Sequence, residues 1–294
     1  MHSPFYIKKS ILQKCTRNMA NTIPNNCIAS FQHKKYAHFI GLVVGIFYLA
    51  LYQYNITISV WASLPLFLMG IPHGAIETQE KISHVPGLHY TFLYLIFGIL
   101  VFCSWLISPH YTLALFLILS AFHFGQSEKH YPLIGLWVVS GSMLFYPTET
   151  LGIFSYLTGE ELNARSLLMV GRLVAVTVVT ILIIQISTRR KEKIRALILI
   201  ALIALLPPVS AVAVYFFIFH SLGEMAKTAD QHNRMPMQIL KLYTPAGIPA
   251  LIGGVIGLYF FSGNLISLFV LSGLAVSFIV PHMCPVEKLT KNLV

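Results

Sequence analysis

Long apolar stretches punctuate this chain, and they leave it few ways to fold. They fall at about 39–54, 56–72, 89–107, 110–125, 131–147, 167–187, 194–207, 209–226, 247–262 and 264–282. Several approach the roughly 20 residues that a helix needs to cross the hydrocarbon core of a bilayer. They lack strand-like alternation, and in lipid, where no water satisfies the peptide groups, helix is the form left to them. Pro207 and Pro208 divide an apolar run over 194–226 that is too long for one crossing, giving two helices joined by a tight turn. The expected fold is all-α, a polytopic integral membrane helical bundle of about ten transmembrane helices.

Charge tests this count. Only 10% of the residues are charged and 56% are hydrophobic, against about 25% and about 45–50% in an ordinary soluble domain. That deficit excludes disorder, a conventional water-soluble fold and a nucleic-acid-binding surface. The formal net charge of +10 has another origin. With ten spans and the N-terminus inside, 18 of the 20 lysines and arginines fall in cytosolic segments, as the positive-inside bias requires. The exceptions are Arg165, in an external loop, and Arg172, near the outer end of the sixth span. Both termini are then cytoplasmic. Residues 1–38 form a basic cytosolic tail with no signal-peptide pattern, 39–282 the transmembrane bundle, and 283–294 a cytosolic C-terminal tail. Four cysteines without a CxxC pair point to neither a disulfide nor a zinc framework.

Twelve histidines are many for such a chain. Most fall in the tail, in loops or at interfaces, but His73, His123, His220 and His282 close apolar segments, in the second, fourth, eighth and tenth spans. These spans run in the same direction, so the four lie at similar depth in the cytosolic half. Intramembrane ionisable residues point to function by default, and neutral imidazole is the commonest metal ligand. Hydrogen bonding between helices is the competing role. Gly74 and Gly125, directly after two of these histidines, are candidate left-handed helix caps. Glu224 lies four residues after His220, on the same helical face, and such a pair can share one metal. Glu77 and Glu128 follow His73 and His123 and could accept a hydrogen bond from a ligand imidazole, or be solvated loop carboxylates.

At these residues the chain resembles the Brp/Blh family of β-carotene dioxygenases. The matching segments are Pro72-His73-Gly74-Ala75 with Glu77, His123-Phe124-Gly125 with Glu128, His220-Ser221 with a ligand position four residues on, and Pro281-His282. The resemblance covers about residues 40–285. It implies an integral membrane non-haem iron enzyme that uses O2 to split β-carotene, or a related carotenoid drawn from the bilayer, into retinal. Fe(2+) would be held by His73, His123, His220 and the residue at 224. That position is histidine in the family and Glu224 here, and Glu77 stands where the family usually has aspartate. The role of His282 stays open as a ligand, an orienting group or a tunnel residue. The resemblance also implies a multi-pass protein of the cell inner (plasma) membrane, in contact with lipid, whose retinal could supply a rhodopsin.

Phe122, Phe124, Tyr215, Phe216, Phe217, Phe219, Met225 and Met283 flank these residues and could line an apolar tunnel or simply pack. A di-iron desaturase or hydroxylase would need HxxxH and HxxHH boxes, and an intramembrane metalloprotease HExxH; none occurs. A histidine-dependent transporter would need a polar path through the outer half of the bundle, where the spans are almost uniformly apolar. A catalytically lapsed carotenoid- or retinal-binding family member is the alternative that Glu224 raises.

Overall fold

A computed structural model of the chain describes residues 26–55, 58–59, 61–70, 74, 87–128, 130–159, 161–188, 193–231, 238, 248, 252–257, 259–260 and 267–283. These residues form an all-helical bundle, with no strand among them. Helix α1 is Asn26–Tyr54, α2 Trp61–Gly70, α3 Gly87–Ile107, α4 Pro109–Ser127 and α5 Leu133–Phe145. Then come α6 Pro147–Thr158, α7 Glu161–Thr188, α8 Lys193–Leu205, α9 Pro208–Gln231 and α10 Leu268–Met283.

The division at the two prolines is present. Helix α8 ends at Leu205, Pro207 is extended (φ −61°, ψ 156°), and Pro208 occupies the first turn of α9. Proline disfavours a helical residue before it and is itself at home where a helix starts. Two boundaries differ from the sequence expectation. Helix α1 begins at Asn26, inside the segment read as tail, because the lysines that mark a polar tail are also good helix formers. Helix α6 occupies what was read as external loop. Pro147 opens it and Gly159, in the left-handed region at φ 74°, closes it. Of the ninth expected span, 248, 252–257 and 259–260 are helical, and its other positions lie outside the described residues.

Two helical segments, Asn163–Thr188 and Pro208–Gln231, are long and apolar enough to cross a membrane, and shorter apolar helices accompany them. Phe92, Ile99, Ile118, Met169, Leu173 and Ile184 are all exposed on helix faces. Apolar surface this extensive marks contact with lipid or with another protein.

Helix α5 is central. Ile134, Trp137 and Val138 are fully buried in a cluster shared with α1, α4, α7, α8 and α9. A second cluster gathers Trp105, Met143, Phe154 and Val280 where α3, α5, α6 and α10 meet. In lipid such contacts form by close packing and interhelical hydrogen bonds, since acyl chains are as apolar as leucine. Gly125 and Gly135 supply one such approach. A Cβ at Gly125 would stand 2.6 Å from Pro132 O, and one at Gly135 would collide with Ala121 O and Gly125 N. Gly125 therefore serves the α4–α5 crossing and is no cap, because α4 continues to Ser127. Buried hydroxyls bind α9 to the α2 region, with Ser210 Oγ 3.0 Å from Ser59 Oγ and 2.9 Å from Ser63 Oγ.

Candidate metal centre

Three helices bring their histidines to one place. His123, near the end of α4, and His220, within α9, set their Nε2 atoms 3.1 Å apart. Their ring centroids are 4.8 Å apart, and that of His282, near the end of α10, lies 5.3 Å from that of His123. His220 is buried at 1% exposure. The backbone around it is unusual, since Tyr215–Ser221 forms a π-helix and the Leu222 N–H bonds back to Phe217 O. Such wide turns concentrate at functional sites. On its far side His220 Nδ1 lies 3.1 Å from Ser127 Oγ.

His123 and His220 face a half-open cavity of about 110 Å³, lined also by Gln126, Ser127, Glu224 and Lys227. Glu224 therefore reaches the cavity, as its spacing from His220 implied. One of its oxygens lies 2.7 Å from Lys227 Nζ. Glu128 is neither a solvated loop carboxylate nor, among the described residues, seen bonded to a histidine. Arg195 of α8 grips both its oxygens, at 2.7 and 3.0 Å, with the carboxylate side chain only 6% exposed. Glu128 caps the end of α4, one residue beyond its last turn, and there it meets Arg195 near the start of α8. Arg195 also stands over the Phe219 ring, 5.6 Å from its centroid.

His282 adjoins Gly74, with its Nε2 3.9 Å from where a Cβ on that glycine would stand. His73 and Glu77 lie outside the described residues. Among the flanking aromatics, Phe124 meets His220 and Tyr215 edge-on at 5.1 and 5.2 Å, and Phe216 lies nearly parallel to His220 at 6.0 Å. Phe219 is stacked on Tyr215, and Phe217 packs against the central cluster. Met225 is half-buried, and Met283 Sδ lies 3.6 Å from Ser120 Oγ. Phe122 departs from the tunnel reading. It is 67% exposed and points outward, because one residue of helix turns it about 100° from His123.

Among the described residues, no group of three or more histidine, cysteine, aspartate or glutamate side chains is arranged to hold a metal ion. The His123–His220 pair nonetheless fits a share in one. Two nitrogens bound at right angles to one cation at about 2.1 Å lie about 3.0 Å apart, and the observed separation is 3.1 Å. Imidazole and carboxylate together are acceptable ligands for iron and zinc.

Sequence reasoning missed Ser127, although it lies four residues after His123 and so on the same face of α4. It missed Arg195 and Lys227 because both sit where loop cations are expected. The π turn left no sequence signal.

The model of one protein family, described as beta-carotene 15,15'-dioxygenase, matches residues 64–290, a span that includes all the site residues above. No curated protein and no solved structure matches the chain.

Proposed function

Because the chain belongs to the beta-carotene 15,15'-dioxygenase family, we propose that it is a membrane-embedded non-haem iron dioxygenase that splits β-carotene, or a related carotenoid, into retinal. The observation that carries this reading is the pair of imidazole nitrogens 3.1 Å apart on the wall of a small cavity shared with Glu224. In this reading His123, His220 and Glu224 would hold Fe(2+) together with His73, which lies outside the described residues. Bound there, iron would supply the activation of O2 that the organic side chains lack.

The chain's own residues have three tasks. His123 and His220 converge from two helices, and the Gly125–Gly135 contact holds α4, which carries His123, closely against α5. Phe124, Tyr215 and Phe216 surround His220 with apolar rings, which keeps water from one side of the site and offers the polyene a matching surface. The cavity itself, about 110 Å³, is small beside the roughly 300–1,000 Å³ of a typical ligand pocket. That volume would suit a metal ion and O2, and a carotenoid, being far larger, would have to lie along the apolar helix faces outside it. The two oxygen atoms of O2 end on the two carbons of the cleaved double bond, one in each aldehyde. No further reductant is required, and no side chain has to act as acid or base.

The enzyme is proposed to be a multi-pass protein of the inner membrane, with about ten spans and both termini in the cytoplasm. Support comes from the segregation of the lysines and arginines and from the apolar exposed helix faces. A carotenoid partitions into the bilayer that those faces contact.

Bacteria that accumulate β-carotene provide the test. Expression of the chain should yield retinal, and His123→Ala should abolish it without loss of membrane-inserted protein. Retinal undiminished in His123→Ala refutes the assignment. A second reading, a lapsed carotenoid- or retinal-binding protein, is favoured by one contact, the Glu224–Lys227 ion pair at the position where the resembling family has histidine. It predicts retinal only after Glu224→His.

A further inference from the structure

An imidazole that offers Nε2 to a cation must carry its proton on Nδ1. For His220, buried at 1% exposure, that N–H needs an acceptor inside the protein. Ser127 Oγ lies 3.1 Å from this nitrogen. The ring has little freedom otherwise, since Phe124 meets it edge-on and Phe216 lies alongside it. Rotation by a half turn within that slot, which would exchange nitrogen for carbon at both edges, is the main alternative left. The serine is itself held in place. It is the last residue of α4, and the next residue, Glu128, is gripped by Arg195 through both oxygens and bonds its own N–H to Gly125 O.

We propose that Ser127 is a positioning residue of this site. Its hydroxyl accepts the Nδ1–H of His220, which fixes the tautomer and the ring orientation so that the Nε2 lone pair faces His123 Nε2. One helix thus carries both a ligand, His123, and, one turn later, the group that aims the ligand of another helix. The proposal rests on the metal reading above and adds a residue to it.

The test uses the full-length protein in detergent with Ser127→Ala and Ser127→Thr. In metal-free protein, ¹⁵N-histidine NMR, with His220 assigned by its own substitution, should show the Nδ1–H tautomer in the wild type and in Ser127→Thr. Ser127→Ala should show a mixture. Titration with Co(II), followed by its visible absorption, should give an affinity about 10–100-fold weaker in Ser127→Ala, recovered in Ser127→Thr. The thermal midpoint of the metal-free protein should stay close to wild type in both variants. A Ser127→Ala protein with wild-type tautomer and wild-type Co(II) affinity overturns the role of Ser127 alone. A wild type that binds neither Co(II) nor Fe(II) overturns the metal reading, and the role of Ser127 with it.

Discussion

Replacing Arg195 with methionine removes one half of the Glu128–Arg195 pair and keeps most of the side-chain volume. Both oxygens of Glu128 are engaged by the guanidinium, and the two side chains are 6% and 14% exposed. The variant leaves a buried carboxylate with no countercharge, a change that costs about 3–5 kcal/mol when a buried pair is broken from one side. Loss of the cation from above the Phe219 ring adds about 0.5–1 kcal/mol. At about 2–4 °C per kcal/mol, the midpoint of thermal unfolding should fall by about 7–24 °C. Trp105 and Trp137 are fully buried, so intrinsic fluorescence of the detergent-solubilised protein reports the transition. The double variant Arg195→Met, Glu128→Leu removes the stranded charge as well. It should recover to within about 1 kcal/mol of the wild type, because an apolar pair often replaces a buried ion pair without loss. A single variant that loses less than about 1 kcal/mol, or a double variant no better than the single, would refute the assignment of the pair as a buried anchor.

Gly135→Ala should lower the folded yield and stability by at least about 1–3 kcal/mol, since its Cβ meets backbone atoms of α4 that cannot rotate away. Gly152→Ala, with nothing within 4 Å of its added carbon, should keep the yield and raise stability by about 0.5–1 kcal/mol, since it lies inside α6; size-exclusion profiles and thermal midpoints of the two variants compare them directly. In carotenoid-accumulating bacteria, Phe124→Ala should sharply reduce retinal while Phe122→Ala leaves it near wild type, because only the first ring touches His220. Equal effects would remove Phe124 from the site. Lys227→Met should raise Co(II) affinity several-fold by releasing Glu224 to the cation; an unchanged affinity would mean that Glu224 takes no part in binding it.

The parts of this architecture that were readable in the sequence are those that depend on local chemistry. Apolar runs located most of the helices, and two consecutive prolines located the α8–α9 break because their effect on the backbone is confined to the neighbouring residues. A common depth made a meeting of His73, His123, His220 and His282 possible; that three of them do meet is set by which helices are neighbours. Helix α6 was missed because Thr148, Glu149 and Thr150 give its start the composition of a loop. The Glu128–Arg195 pair was missed for a different reason. Each partner looks like an ordinary interfacial charge, and only the tertiary fold brings the end of α4 within reach of Arg195, 67 positions away. Ser127 had a periodicity that pointed to the site, but a single serine near a helix end has too many other uses to stand out.

The widened turn at Tyr215–Ser221 also governs the phase of α9. In a regular helix the rotational setting of one end dictates that of the other, at about 100° per residue. A π turn acts as a one-residue insertion and resets this angle in mid-helix. The serine end of α9 can then keep Ser210 against Ser59 and Ser63 while the other end is clocked independently to present Glu224 to the cavity. Deleting one residue from this segment would leave an unbroken α-helix of nearly the same length. Its two halves could no longer both face their partners.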